Sequence, residues 1–290
     1  MHRFSHRAMG SLFEILLPGG DAQVAKDAAE SAFEELDRVE KRLTRFDPHS
    51  EVSRINAAPV GRQVVLDVDA FECLRLARRV WSDTGGAFDV TAGKPAAGEG
   101  AAPRRVGMQF LALDEDALAV RRLDPGVQVD LGGIGKGYGL DRMAEVLREW
   151  EIGTALLHGG QSTVLAMGSR GESGWRLALR DPADADAAPL GWVSLSDRAF
   201  SGSSTAAARH ITDPRTGLAV PGNRAAWAVT RSAAAADALT TALCVMSEAE
   251  ARRLSEKRKD LPFLVATRRD GAWQLRPFGP PMLAAVRTCR

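Results

Sequence analysis

The stretch from Val127 to Leu147, VQVDLGGIGKGYGLDRMAEVL, constrains the fold more than any other. Val127, Val129 and Leu131 alternate with Gln128 and Asp130, the period of a pleated strand. Leu140, Met143, Ala144 and Leu147 recur at i, i+3, i+4 and i+7, the period of one helix face. Between them, five of the eight residues from Gly132 to Gly139 are glycine. Glycine in regular structure costs roughly 0.5–1 kcal/mol against alanine, so a cluster implies a backbone that other residues could not supply. Two readings fit. A glycine turn opening a helix leaves backbone N–H groups unshielded, which suits a phosphate. Alternatively, the glycines let a strand and a helix pack closely at a tight corner.

Two named phosphate motifs are excluded. A P-loop would need glycine where Asp130 stands and Ser or Thr where Gly137 stands. The dinucleotide fingerprint fails because Tyr138 occupies the place of its third glycine. Lys136 adds a separate hint. The chain has six lysines and thirty-two arginines, so a lysine in this turn stands out against the default cation.

The remaining composition bounds the class. At 290 residues, with 45% hydrophobic and 26% charged residues, the chain has ordinary globular composition and can bury a sizeable core. A formal net charge of +1 gives no reason to expect nucleic acid or an acidic membrane surface as partner. Cys73, Cys244 and Cys289 form no C-x-x-C pair and no zinc spacing. The start has neither an apolar core of signal-peptide length nor a lipobox cysteine, and no run reaches the length of a membrane span. The expected compartment is therefore the cytoplasm, or the periplasm if the N-terminus is trimmed.

In chain order, Ser11 to Leu17 reads as a strand and Asp21 as the cap of a long helix with Val24, Ala28, Ala32, Leu36, Val39 and Leu43 on one face. Arg45 to Asn56 reads as a polar loop, followed by a helix over about Asp69 to Ser82. Residues 92–105, rich in Ala, Gly and Pro, read as a flexible connection within one domain covering 1–290. Short strands are expected at Ala155–Leu157, Val164–Met167, Ala226–Thr230, Phe263–Thr267 and Trp273–Arg276, with a hairpin of Trp175–Leu179 and Trp192–Leu195. Ser201-Gly202 and Arg209 to Gly217 read as loops. Ser232 caps a helix running to Met246, and Ser247 with Glu250 forms a capping box for another. Strands and helices mix without strict alternation, so the expected class is α+β.

Asp237 and Thr241 lie four apart and share a face of the helix after Ser232. A carboxylate and a hydroxyl placed so suit a hard cation such as Mg²⁺, but taken in isolation the pair reads more simply as a helix-surface Asp beside a back-bonded Thr. His210, before Asp213-Pro214, is a candidate proton carrier or a structural histidine. Ser201-Gly202-Ser203-Ser204 is not a G-x-S-x-G elbow, and His2, His6, His49 and His158 have no metal spacing.

Eight segments in order resemble the ApbE family of FAD:protein FMN transferases: MGS (Met9 to Ser11), SEVSRIN (Ser50 to Asn56), GAFDVT (Gly86 to Thr91), DLGGIGKGYGLD (Asp130 to Asp141), HGGQ (His158 to Gln161), SG (Ser201-Gly202), HITDPRTG (His210 to Gly217) and ADALTTAL (Ala236 to Leu243). The resemblance implies an α+β fold of mixed sheets with packed helices, related to the T-fold. It implies FAD as substrate, Mg²⁺ at the pyrophosphate, and an acceptor protein whose Thr or Ser receives FMN as AMP leaves. By position, the metal ligands would be Asp237, Thr241 and the carbonyl of Gly133. Flavin contacts would come from Met9, Phe46, Ala87, Phe88, Asp89, Asp130, Lys136, Ile211 and Thr240. His210 and Asp237 are the candidates to take the hydroxyl proton. An FAD hydrolase giving FMN and AMP, or a flavin-binding protein without turnover, could use the same residues.

Overall fold

Period-two alternation builds the centre of this fold, and the two faces it creates are covered by different material. The computed structural model describes residues 1–93, 105–184, 186–206, 211–282 and 285–286. In chain order the elements begin β1 (His2–Ala8), β2 (Ser11–Leu17), α1 (Ala22–Leu43), α2 (Glu51–Ala57), β3 (Val64–Val65), α3 (Val68–Asp83), β4 (Leu111–Asp114) and β5 (Ala119–Arg122). They continue with α4 (Gly135–Glu149), β6 (Ala155–Gly159), β7 (Thr163–Met167), β8 (Trp175–Leu179), β9 (Gly191–Leu195) and β10 (Arg198–Ser204). The last are β11 (Arg224–Thr230), α5 (Ala233–Val245), α6 (Glu248–Lys257), β12 (Phe263–Arg269), β13 (Ala272–Phe278) and β14 (Ala285–Val286).

Eight strands form one antiparallel sheet in the order β1-β2-β6-β7-β10-β11-β12-β13. On β7, Leu165 and Met167 face the helices while Val164 and Ala166 face the other way. On β12, Phe263 and Val265 likewise alternate with Leu264 and Ala266. The helix side packs against α1, α4 and α5. The opposite side is covered by the small sheet β14-β9-β8 through Trp175, Leu179, Val193 and Leu195. A third sheet, β3-β5-β4, shares a core with α2 and α3. The class is α+β, as the unalternating order of elements implies.

Caps set the helices. Asp21, Ser50, Asp67, Ser232 and Ser247 each accept first-turn N–H groups, and Ser247 with Glu250 completes the capping box. Ser50 is the reason the polar stretch Arg45 to Asn56 is not all loop: its cap starts α2, whose apolar Val52 and Ile55 are buried. β1 lies in a segment with no expected strand. It pairs with β2 through the two-residue turn Met9-Gly10, both at positive φ, as tight hairpins require. Ser201-Gly202, expected in a loop, lies inside β10.

Two expectations for the central stretch are corrected. Val127 to Leu131 is buried on alternate residues, but among the described residues it joins no sheet. Its backbone is satisfied otherwise: Asn56 Nδ2 donates to the Val129 carbonyl at 2.9 Å, and the Val129 N–H donates to Asn56 Oδ1 at 2.7 Å. The Asp130 N–H donates to the Val90 carbonyl at 2.7 Å. The helix begins inside the glycine run, at Gly135, so three of the five glycines are helical.

Candidate functional site

The first glycines of that run border a cleft of about 590 Å³. Its walls come from Gly132, Gly133 and Lys136 before and at the start of α4, Asp237 and Thr241 on α5, and Gly202 to Ser204 on β10. The segment around Phe88 and the strip from Ile211 to Pro214 complete it, with Arg45 and Asp130 at one end.

Each wall is positioned by an identifiable interaction. Asp141 on α4 caps α5 from outside, accepting from Ser232 Oγ at 2.7 Å and from the N–H groups of Ala233 and Ala234 at 2.7 and 3.0 Å. Burial pushes its carboxyl above the ordinary range, against those hydrogen bonds. The crossing is close because Gly137 has no side chain: a Cβ there would collide with the backbone of Ala233 and Ala234. Gly139 packs similarly, with a Cβ position only 2.6 Å from Leu36 Cδ1. The tight-packing reading therefore explains Gly137 and Gly139. Gly132 and Gly133 are the glycines that open onto the cleft.

Asp237 is the hub. It is 4% exposed, and Lys136 Nζ lies 3.2 Å from its Oδ2, which also accepts the Gly137 N–H at 3.3 Å. Thr163 Oγ1 donates to its Oδ1 at 3.3 Å. Lys136 thus faces Asp237 and not the nearer-in-sequence Asp130, whose Oδ2 lies 3.4 Å from Arg45 Nε. The difference follows from the helix. Lys136 sits on the first turn of α4, beside α5, whereas Asp130 belongs to the irregular segment before it.

The other expected residues divide. Ala87, Phe88, Asp89, Asp130, Gly133, Lys136, Ile211, Asp237 and Thr241 all border the cleft. Asp89 does so with its carboxylate largely committed, accepting from the Thr91 N–H and hydroxyl at 2.8 and 2.6 Å and from the Met108 N–H at 3.0 Å. Burial raises its pKa while these bonds work to lower it. Met9, Phe46 and Thr240 are not on the cleft wall. Met9 occupies the β1–β2 turn and packs towards Gly139. Phe46 is 79% exposed beneath the Arg45 guanidinium, 4.9 Å from its ring centroid. Thr240 is fully buried and hydrogen-bonds to Ser203 Oγ at 2.9 Å. His210 lies outside the described residues, as do residues 94–104 of the expected flexible connection and Cys289.

Sequence reasoning missed Arg45, Ser162, Thr163, Ser203, Ser204 and Thr212. Hydroxyl residues carry no periodic signal, and only the strand register brings Thr163 opposite Ser201. The chemistry on offer is oxygen-rich. Thr241 Oγ1 donates to the Asp237 carbonyl at 3.3 Å, which leaves its lone pairs available. Among the described residues no three His, Cys, Asp or Glu side chains gather into a metal-holding cluster.

A profile of the ApbE family matches residues 9–265. A relative from Escherichia coli strain K12, named FAD:protein FMN transferase, is 24% identical over 281 residues, covering 86% of this chain and 79% of its own length. The flavin transferase ApbE from Vibrio cholerae has the same fold, with a TM-score of 0.79 at 23% identity over 96% of both chains. The ApbE protein from Thermotoga maritima gives a TM-score of 0.78 at 23% identity, over 94% of this chain and 96% of its own.

Proposed function

Because the chain belongs to the ApbE family, we propose that its cleft binds FAD and transfers FMN to a Thr or Ser hydroxyl of a target protein, releasing AMP. The observation that carries this reading is the meeting of Gly133, Lys136, Asp237 and Thr241 on one cleft wall. Gly133 and Lys136 lie about a hundred residues from Asp237 and Thr241, yet together they present backbone, cation, carboxylate and hydroxyl to one volume. The relatives named FAD:protein FMN transferase support the substrate and the protein acceptor.

The reaction exchanges one phosphoanhydride for one phosphoester. The acceptor hydroxyl attacks the phosphorus on the FMN side, its P–O bond to AMP breaks, and the hydroxyl proton leaves towards Asp237 or His210. The glycine turn supports pyrophosphate binding. Gly133 and Lys136 stand at the N-terminal end of α4, where the helix dipole favours negative charge. Lys136 supplies a full positive charge beside it.

The donor set fits Mg²⁺. Asp237 already holds a cation, the Lys136 ammonium, and the Thr241 hydroxyl and Gly133 backbone border the same space. One carboxylate is enough for an ion that completes its shell with water and phosphate oxygens. Asp237, Thr241 and the Gly133 carbonyl would hold it, and when bound it supplies charge neutralisation at the pyrophosphate. Ala87, Phe88, Asp89, Asp130 and Ile211 would flank the nucleotide on the remaining walls.

The test is in-gel flavin fluorescence of a Thr-bearing acceptor after incubation with protein, FAD and Mg²⁺. Wild type should leave a covalently fluorescent acceptor, and chelation by EDTA should abolish it. Asp237→Ala should give none while remaining folded. Equal labelling by Asp237→Ala and wild type would remove Asp237 from the site.

A further inference from the structure

Behind the cleft wall runs a buried chain of hydroxyls. Thr163, Ser201 and Thr240 are fully buried. Thr163 Oγ1 lies 3.3 Å from Asp237 Oδ1 and 3.1 Å from Ser201 Oγ. Thr240 Oγ1 lies 3.4 Å from Ser201 Oγ and 2.9 Å from Ser203 Oγ, and Ser203 borders the cleft.

Proton counting gives the chain a direction. An ionised carboxylate only accepts, so Thr163 commits its one proton to Asp237. Its bond with Ser201 then has Ser201 as donor. Thr240 gives its proton inward, to Ser201 or to the Asp237 carbonyl at 3.1 Å, and receives one from Ser203. The run from Ser201 through Thr163 is thereby directed at the Asp237 carboxylate, and each bond polarises the next. Close packing of β10 on α5 explains why these residues are small, but not why they are polar. Alanine at 201 and valine at 163 and 240 would fill similar space without burying oxygens that need partners.

We infer that Thr163 and Ser201 are positioning residues: their hydroxyls fix one oxygen of the Asp237 carboxylate from behind, so that the other faces Lys136 and the cleft. The inference rests on the function proposed above. Thr163→Val keeps the shape and removes the hydroxyl, whereas Thr163→Ser keeps the hydroxyl. Each is compared with wild type in thermal stability, in Mn²⁺ binding with FAD by the free-ion EPR signal, and in AMP release with FAD and acceptor. Thr163→Val should stay folded, bind Mn²⁺ more weakly, and lose kcat about tenfold to a hundredfold, the worth of one hydrogen bond to a charged group. KM for FAD should change far less, and Thr163→Ser should restore both readouts. Wild-type Mn²⁺ binding and AMP release by Thr163→Val would overturn the role, as would a loss that Thr163→Ser shares in full. Should Thr163→Val fail to fold, Ser201→Ala decides: a smaller loss in both readouts is expected, and wild-type values overturn the inference. Wild-type protein that binds Mn²⁺ but releases no AMP contradicts the function itself, and the Mn²⁺ comparison still judges the chain.

Discussion

A Cβ placed on Gly137 would run into the Ala233 carbonyl, a backbone atom at the start of α5 that cannot move without moving the helix. A Cβ on Gly133 would meet only the edge of the Phe88 ring, at 3.2 Å. The same run of glycines therefore serves packing at one position and access at another. Gly137→Ala should cost about 2–3 kcal/mol of stability, as overpacking against an unyielding wall does. Gly133→Val should melt close to wild type but lose most FAD turnover, because the side chain obstructs a backbone proposed to face phosphate. Thermal melts and AMP assays on both variants separate the two jobs. A Gly133→Val protein that fails to fold would assign that glycine to packing as well. Composition and spacing made the cluster legible, and the i, i+4 spacing of Asp237 and Thr241 announced a shared helix face but not whether that face met a cleft or solvent. Which glycine did what was not, because close approach between α4 and α5 involves residues about a hundred positions apart.

Among the elements, the strip Ile211 to Pro214 has a bolt of its own. Arg215 donates to Asp213 at 2.8–2.9 Å and pairs with Glu250 at 2.5 Å, the capping-box acid of α6. Hydrogen bonds from Arg215 hold the Asp213 carboxyl below its ordinary range. Partial burial works the other way on Glu250, but hydrogen bonds from Ser247 and Arg215 prevail and lower it too. Acids with depressed folded pKa values stabilise above the usual carboxylate range, and lose that contribution as pH falls through the depressed values. Arg215→Met should therefore be less stable than wild type at pH 7, with the gap closing as the solution is acidified. Thermal unfolding across pH 3–7 would show it, and a gap of constant size would mean the arginine acts through packing. The capping box was legible because its two residues sit three apart. The Arg215 link to it was not, since Arg215 and Glu250 are brought together only by the return of the chain through β11 and α5. Likewise the alternation at Val127 to Leu131 correctly announced alternate burial, yet no strand formed. The backbone bonds a neighbouring strand would have made are supplied by the Asn56 side chain and Val90.

At the scale of the whole molecule, the family motifs acquire physical reasons. Asn56 of SEVSRIN anchors the segment before the glycine turn. Gly202 of the SG pair leaves room for Trp227, whose ring would lie 2.5 Å from a Cβ, while Ser201 points towards Thr163. Both serve one eight-stranded sheet whose helix-covered side delivers α4 and α5 to the cleft. Whether this cleft moves FMN from FAD to another protein is decided by counting AMP released against flavin covalently bound to an acceptor, by chromatography and intact mass, in reactions with and without the acceptor. One AMP for each FMN attached, with little AMP when the acceptor is absent, is the predicted result. AMP and free FMN appearing together while the acceptor stays unmodified, or no AMP under any condition, would contradict it.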